Sequence, residues 1–110
     1  MIERRVYERV PFFCDIAMTI LPAAQVVEAH SYDISLGGVG LVTVASVRAG
    51  AMVGLAFSLR DKTGKSVVNQ VNGRVVRCDA DLDGNRLGIE FLTPLNAATS
   101  PQLMKRVVKI

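Results

Sequence analysis

Two short stretches of the chain bring together side chains able to hold an anion and to read a nucleobase. In "RRVYERV", Arg5 and Arg9 stand four residues apart. An extended segment covers about 13 Å over that spacing, so two guanidinium groups can take opposite ends of one ligand of modest size. Arginine makes bidentate contacts with phosphate oxygens and with the O6/N7 edge of guanine, and its plane stacks on purine faces. The second stretch is "SYDISLGGVG", where Asp33-x-Ser35-x-x-Gly38 interrupts a strand-like run. A carboxylate there accepts from guanine N1–H and N2–H₂, a donor pair that no other base presents together on its Watson–Crick edge. The Ser35 hydroxyl can donate to a phosphate, and Gly37 and Gly38 let the backbone come close. Each set also has a plainly structural use. Asp and Ser cap turns at strand ends, and arms that mix Glu3 and Glu8 with their arginines are common solvated runs.

Positioning these residues falls to a chain dominated by period-two alternation. Val10, Phe12, Cys14, Ile16, Met18 and Ile20 share one face of a first strand that Pro22 ends, with Asp15 and Thr19 opposite. Residues 25–34 make a weaker strand and 38–44 a short glycine-containing one. Val53, Leu55, Phe57 and Leu59 define a fourth, and "RDKTGK" closes it with a turn in which Gly64 is available for positive φ. Val67, Val71 and Val75 mark a long fifth strand. Asn72-Gly73 within it is also a strong hairpin signal, but one curved strand is preferred, since glycine lets a small barrel turn a corner. "DADLDGN" is expected to be a loop, followed by a sixth strand with Leu87, Ile89 and Phe91 inward. Ser100 and Pro101 read as N-cap and first residue of a short C-terminal helix, "QLMKRVVKI", basic in its last turn. Six short antiparallel strands with turn signals between them predict a small closed barrel, with the helix over one opening or edge. The expected division is a flexible arginine arm over residues 1–9, the barrel over 10–93 and a helical segment over 94–110, all one domain.

Half of the 110 residues are hydrophobic and 21% are charged, so a buried core is readily built and disorder is not expected. No apolar run nears the roughly 20 residues of a membrane span, and "MIERRVYERV" is charged where a signal peptide would be apolar. A soluble, cytoplasmic protein is expected, unless the chain is one domain of a longer membrane protein. Cys14 and Cys78 are too few and too far apart for a disulfide framework or a zinc site, and read as reduced, half-buried thiols. The net charge of +3 favours an anionic partner. It is modest for a protein that grips duplex DNA, and DNA is not expected as a partner.

Together the two motifs resemble the PilZ domain, the family of cyclic di-GMP receptors, whose signature is R-x-x-x-R followed about 20–30 residues later by [D/N]-x-S-x-x-G. Arg5-Val-Tyr-Glu-Arg9 and Asp33-Ile-Ser-Leu-Gly-Gly38 match it, and "NGRVVRC" and "RLGIEF" look like the family's fifth and sixth strands. The resemblance covers nearly the whole chain. It implies a mainly β fold, a small six-stranded antiparallel β-barrel of split-barrel type with a short C-terminal α-helix. It implies cyclic di-GMP as ligand, with no cofactor, metal or catalytic residue. Arg5 and Arg9 would hold the guanines and phosphates, Asp33 would read a guanine edge, Ser35 would meet a phosphate, and Gly37 and Gly38 would make room. Arg4 would add a third cation, suited to a stacked pair of ligands. Ligand would order the arm, and the reshaped surface would act on an effector protein or adjoining domain, or on a second copy in a homodimer.

An enzyme is not expected. His30, the one histidine, has no nearby Ser or Cys in a triad-like arrangement and belongs on the second strand, and Gly37, Gly38 and Gly40 do not fit G-x-G-x-x-G. Two other binding functions compete. Some PilZ-like domains bind no nucleotide and act as protein-interaction modules, but those usually lack the arginines or the Asp/Ser pair that this chain keeps. A small basic barrel could instead hold single-stranded RNA, which calls for exposed aromatic platforms; Phe12, Phe57 and Phe91 suit the core better, leaving Tyr7 and Tyr32. Residues 79–90 also satisfy the calcium-loop pattern D-x-D-x-D-G-x₅-E at Asp79, Asp81, Asp83, Gly84 and Glu90. Their flanks are β-patterned rather than helical, Arg86 takes a normally apolar position, and Glu90 faces outward on a strand. Calcium is therefore discounted in favour of an acidic hairpin loop.

Overall fold

The computed structural model describes residues 8–107. Its strands are β1 (Val10–Pro11), β2 (Asp15–Ile20), β3 (Gln25–Ile34), β4 (Gly38–Thr43), β5 (Met52–Arg60), β6 (Ser66–Asp81) and β7 (Gly84–Phe91), followed by α1 (Pro101–Val107). Six of the strands close into an antiparallel ring, β3-β2-β5-β6-β7-β4, with β4 returning to β3. β1 adds only Val10 opposite Ile34 and Pro11 opposite Asp33. The mainly β fold, the six-stranded barrel and the short C-terminal helix are as expected.

Alternation builds the interior. Ile16 and Met18 of β2, Val39 and Leu41 of β4, Val53, Leu55, Phe57 and Leu59 of β5, Val75 of β6, and Leu87, Ile89 and Phe91 of β7 are all buried. Phe57 meets Phe12 with ring centroids 6.3 Å apart. Each such side chain contributes about 1.5–3 kcal/mol by leaving water. The expected first strand keeps its inward face but is two strands, not one. Its ladder lapses between Pro11 and Asp15, where buried Ser31 of β3 donates its hydroxyl to the Phe12 carbonyl at 2.8 Å and Phe13 turns outward.

β6 is one curved strand of 16 residues. Its first half pairs with β5 and its second with β7, and Gly73 takes part in both, opposite Val53 and Phe91. A Cβ at Gly73 would lie 2.6 Å from Ile89 Cγ2, so the corner is glycine because β7 is packed hard against it. The strand also runs further than expected. Asp79–Asp81 pair with Gly84–Arg86, so most of "DADLDGN" is hairpin arm rather than loop. There Arg77 pairs with Asp79 at 3.1 Å and Arg86 with Asp81 at 3.3 Å, while Glu90 lies further along β7 with Arg74 at 2.7 Å. Extended backbone spreads these carboxylates along a ladder, each beside its own arginine. Among the described residues no three metal-ligating side chains gather, and no helix is long and apolar enough to cross a membrane.

α1 starts after buried Ser100, whose carbonyl accepts from Met104 N–H. Its fastening to the barrel lies in β6. Buried Asn69 accepts from Leu103 N–H at 3.1 Å and donates to Gln102 Oε1 at 2.8 Å, while Leu103 enters the core. Asn69→Ala removes this cap and leaves both partners short of a hydrogen bond, and should lower stability by about 1–2 kcal/mol in urea denaturation. A midpoint equal to the parent's would deny Asn69 that role.

Cys14 and Cys78 are free and half-buried. Burial pushes the Cys14 thiol above its ordinary range, although a backbone hydrogen bond at Ser58 acts the other way. The folded chain thus keeps this proton to higher pH than the unfolded chain does. The associated stability is present below the unfolded thiol's pKa and is lost as pH rises through the folded value. Near neutral pH, iodoacetamide labelling of Cys14 followed by mass spectrometry should be slow in the folded protein and fast in urea.

Candidate functional site

The site forms where the register of β3 breaks. Ala29 and Ser31 face the core, yet the next inward side chain is Ile34, not Asp33. Pairing with β4 shifts between Ser31, opposite Leu41, and Asp33, opposite Gly40. This β-bulge leaves Tyr32 as an extra residue and brings Tyr32 and Asp33 out on the same side of the sheet. β6 does the same beyond β7, its register shifting between Val75, opposite Ile89, and Arg77, opposite Gly88. Val76 and Arg77 are consequently both exposed. Between the two bulges, β4 and β7 set Gly40 opposite Gly88. One cross-strand row on the outer face therefore reads Asp33, Gly40, Gly88, Arg77, with charges at its ends and no side chain between.

At the acidic end, β1 pairing holds Arg9 against Asp33. Arg9 Nε donates to Oδ2 at 3.1 Å and Nη2 to Oδ1 at 2.8 Å, and Gly40 N–H donates to Oδ1 at 3.1 Å. The side chains keep 40% and 28% of their exposure. The hydrogen bonds that Arg9 donates to Asp33 hold its guanidinium above its usual range, with partial burial opposing. A pair this exposed adds at most about 1 kcal/mol to stability, so its main effect is geometric. It fixes the carboxylate's orientation and leaves Arg9's remaining N–H groups for an anion.

Ser35 is 3% exposed, and its Oγ accepts from the Gly37 and Gly38 N–H groups, both at 3.2 Å. Its own hydrogen has only a 3.5 Å approach to the Gly38 carbonyl. The hydroxyl builds the turn that carries Gly37 and Gly38, and its donor is the part left for another acceptor. Gly38 lies opposite Glu90 on β7, and a Cβ there would collide with the Ile89 carbonyl oxygen. Its missing side chain therefore makes room inside the barrel wall.

Of the expected site residues, Arg9, Asp33, Ser35, Gly37 and Gly38 come together around the β3–β4 connection, while Arg4 and Arg5 lie outside the described residues. His30 lies on β3 as expected, its Nδ1 2.9 Å from Asp15 Oδ1. Three neighbours were not anticipated as part of this site: Tyr32, Gly40 and Arg86. A Cβ at Gly40 would lie 2.6 Å from Tyr32 Cζ and 2.7 Å from Asp33 Oδ1. Arg86 Cζ stands 5.1 Å from the Tyr32 ring centroid. The alternation of Gly38 and Gly40 on one face of a short strand was the available signal that something lies flat against it.

A closed antiparallel barrel that carries its polar cluster on the outer wall, with Arg9 paired to Asp33, defines a narrow class of small β modules. The chain belongs to the PilZ domain family, whose family model matches residues 3–109. No match was found among curated proteins. The chain is similar to the structure of the Bacillus subtilis inhibitor of motility, MotI/DgrA, at 20% identity and a TM-score of 0.72, covering 96% of this chain and 52% of that one. It is similar to the PilZ domain of Escherichia coli YcgR, solved with c-di-GMP, at 20% identity and a TM-score of 0.60, covering 96% and 86%. E. coli YcgR in complex with c-di-GMP gives 22% identity and a TM-score of 0.61, covering 96% and 43%. The chain thus spans about half the length of the first and third of these proteins.

Proposed function

We propose that the chain is a cyclic di-GMP receptor that acts without catalysis of its own, in the cytoplasm. The observation that carries this reading is the Arg9–Asp33 pair. Two motif residues 24 apart in sequence meet bidentately on the outer wall, beside the turn made by the third motif residue, Ser35. Family membership supports it, as does the c-di-GMP complex of the E. coli YcgR PilZ domain.

In this reading Asp33 accepts from a guanine edge, Arg9 turns its remaining donors to guanine or phosphate, and Ser35 and Gly37 meet a phosphate from the turn. Gly38 holds that turn against β7. Arg4 and Arg5 close over the ligand from the arm, the ordering of residues 1–9 changes the outer surface, and an effector protein or adjoining domain responds. A second copy of the chain is one form that partner could take.

Calorimetric titration with cyclic di-GMP, using GTP and linear pGpG as controls, tests the reading. Micromolar or tighter binding selective for the cyclic dinucleotide is the expected result, and the molar ratio separates one ligand from a stacked pair. Absence of binding would overturn the receptor reading and favour a nucleotide-independent interaction module.

A further inference from the structure

The β3 bulge delivers an aromatic ring as well as a carboxylate. Tyr32 and Asp33 are consecutive, point to the same side, and lie over the same residue. The space above Gly40 that a Cβ would fill is bounded by Tyr32 Cζ at 2.6 Å, Tyr32 Cε1 at 2.7 Å and Asp33 Oδ1 at 2.7 Å. The ring therefore rests on the β4 backbone, which fixes its height beside the carboxylate. Arg86 on β7 stands over the ring, its Cζ 5.1 Å from the centroid and within cation–π reach, and Tyr32 stays partly exposed. Arg86 is itself held by Asp81 at 3.3 Å.

A flat ring fixed next to an acceptor for the guanine edge matches how proteins hold a single unpaired base: stacking on the face, hydrogen bonds at the edge. The other described aromatics lie elsewhere. Phe12, Phe57 and Phe91 are in the core, and Phe13 lines a separate depression with Ser58, Val68 and Arg106. We infer that the Tyr32 ring, supported by Gly40 and Arg86, is the stacking surface for the guanine whose edge Asp33 accepts. The inference rests on the cyclic di-GMP reading above. Asp33 supplies the base's identity and Tyr32 its plane, so a dinucleotide lacking guanine is excluded at the edge, not at the face.

The composition offers a direct readout. The chain has no tryptophan and two tyrosines, Tyr7 and Tyr32, so in Tyr7→Phe all tyrosine emission comes from Tyr32. Titrating cyclic di-GMP into that full-length variant, with N-acetyltyrosinamide correcting for absorption by the ligand, should quench the emission with the midpoint seen by calorimetry. In the parent chain, Tyr32→Phe should bind within about twofold of the original, because the ring is kept. Tyr32→Ala should bind about 5- to 150-fold more weakly, and Arg86→Ala should show a smaller loss. Full affinity in folded Tyr32→Ala, or unquenched Tyr32 emission at saturating ligand, overturns the inference while the receptor reading stands. If Tyr32→Ala fails to fold, the emission of Tyr7→Phe decides alone. Calorimetry showing no cyclic di-GMP binding by the parent chain overturns both.

Discussion

Asp33→Ala should weaken cyclic di-GMP binding by about 2–5 kcal/mol, or roughly 30- to 5,000-fold, while moving the melting temperature by only a few degrees. The contrast follows from where the carboxylate sits. In the free protein its pair with Arg9 is half open to water and contributes little to stability. In the proposed complex the ligand would cover that pair, and an edge donor left without its acceptor would lose the full hydrogen bond. Arg9→Ala should fall in the same range. The double variant should lose less than the sum of the two, because removing Asp33 already releases Arg9 from its position. Asp33→Asn keeps an acceptor for the Gly40 N–H but loses the charge, and should lie between parent and alanine. Parent-like affinity in a folded Asp33→Ala protein, measured by calorimetry, would place the binding surface elsewhere.

Gly38→Ala should destabilise the barrel by about 3 kcal/mol, at the upper end of overpacking costs, and lower the melting temperature by about 10–15 °C. The new Cβ would face the Ile89 carbonyl oxygen, a backbone atom that no side-chain rotation can move aside. Relief requires prising β4 from β7. Gly88→Ala is the matched control on the facing strand. Its Cβ would meet nothing nearer than Val76 Cγ2 at 3.6 Å, an ordinary contact. That substitution should be neutral or slightly stabilising, since alanine leaves the unfolded chain less freedom to lose. Equal urea midpoints for the two variants would refute the assignment of Gly38 to barrel closure.

Much of the barrel was legible because an inward side chain repeats at every second residue and marks its strand several times over. Val53, Leu55, Phe57 and Leu59 needed no further information, and Gly73, as a residue at which a small barrel can turn a corner, favoured a curved strand over a hairpin at Asn72-Gly73. A bulge leaves no such mark. It is one extra residue, and "HSYDIS" reads alike whether Tyr32 or Asp33 faces the core; only the partner strand's register decides. The motif residues around Asp33 could thus be named from sequence, whereas the ring beside it could not be assigned. Asn69 was hidden for another reason: alternation with Val67 and Val71 puts it on the inward face, but no pattern tells that its amide bonds the helix backbone. The acidic stretch before β7 misled for a different reason. Its aspartates and glycine suit a loop as well as a tight hairpin, and the tie-breaker is pairing with Asn85 and Arg86 further along the chain.

The two bulges flanking β4 and β7 also bear on how such a domain can change over descent. Tyr32 and Val76 are supernumerary in their ladders, so altering them leaves the inward sequence of β3 and β6, and hence the packing, untouched. Demands on the ligand surface and demands on folding then fall on separate sets of positions: residues 32, 33, 76 and 77 lie outward, whereas Ile34, Val75 and Ile89 are buried in the packing. Deleting Tyr32 or Val76 would restore plain alternation, with Ser31, Asp33 and Ile34, or Val75, Arg77 and Cys78, still opposite their present partners. What a lost bulge takes away is the second outward side chain and not the core.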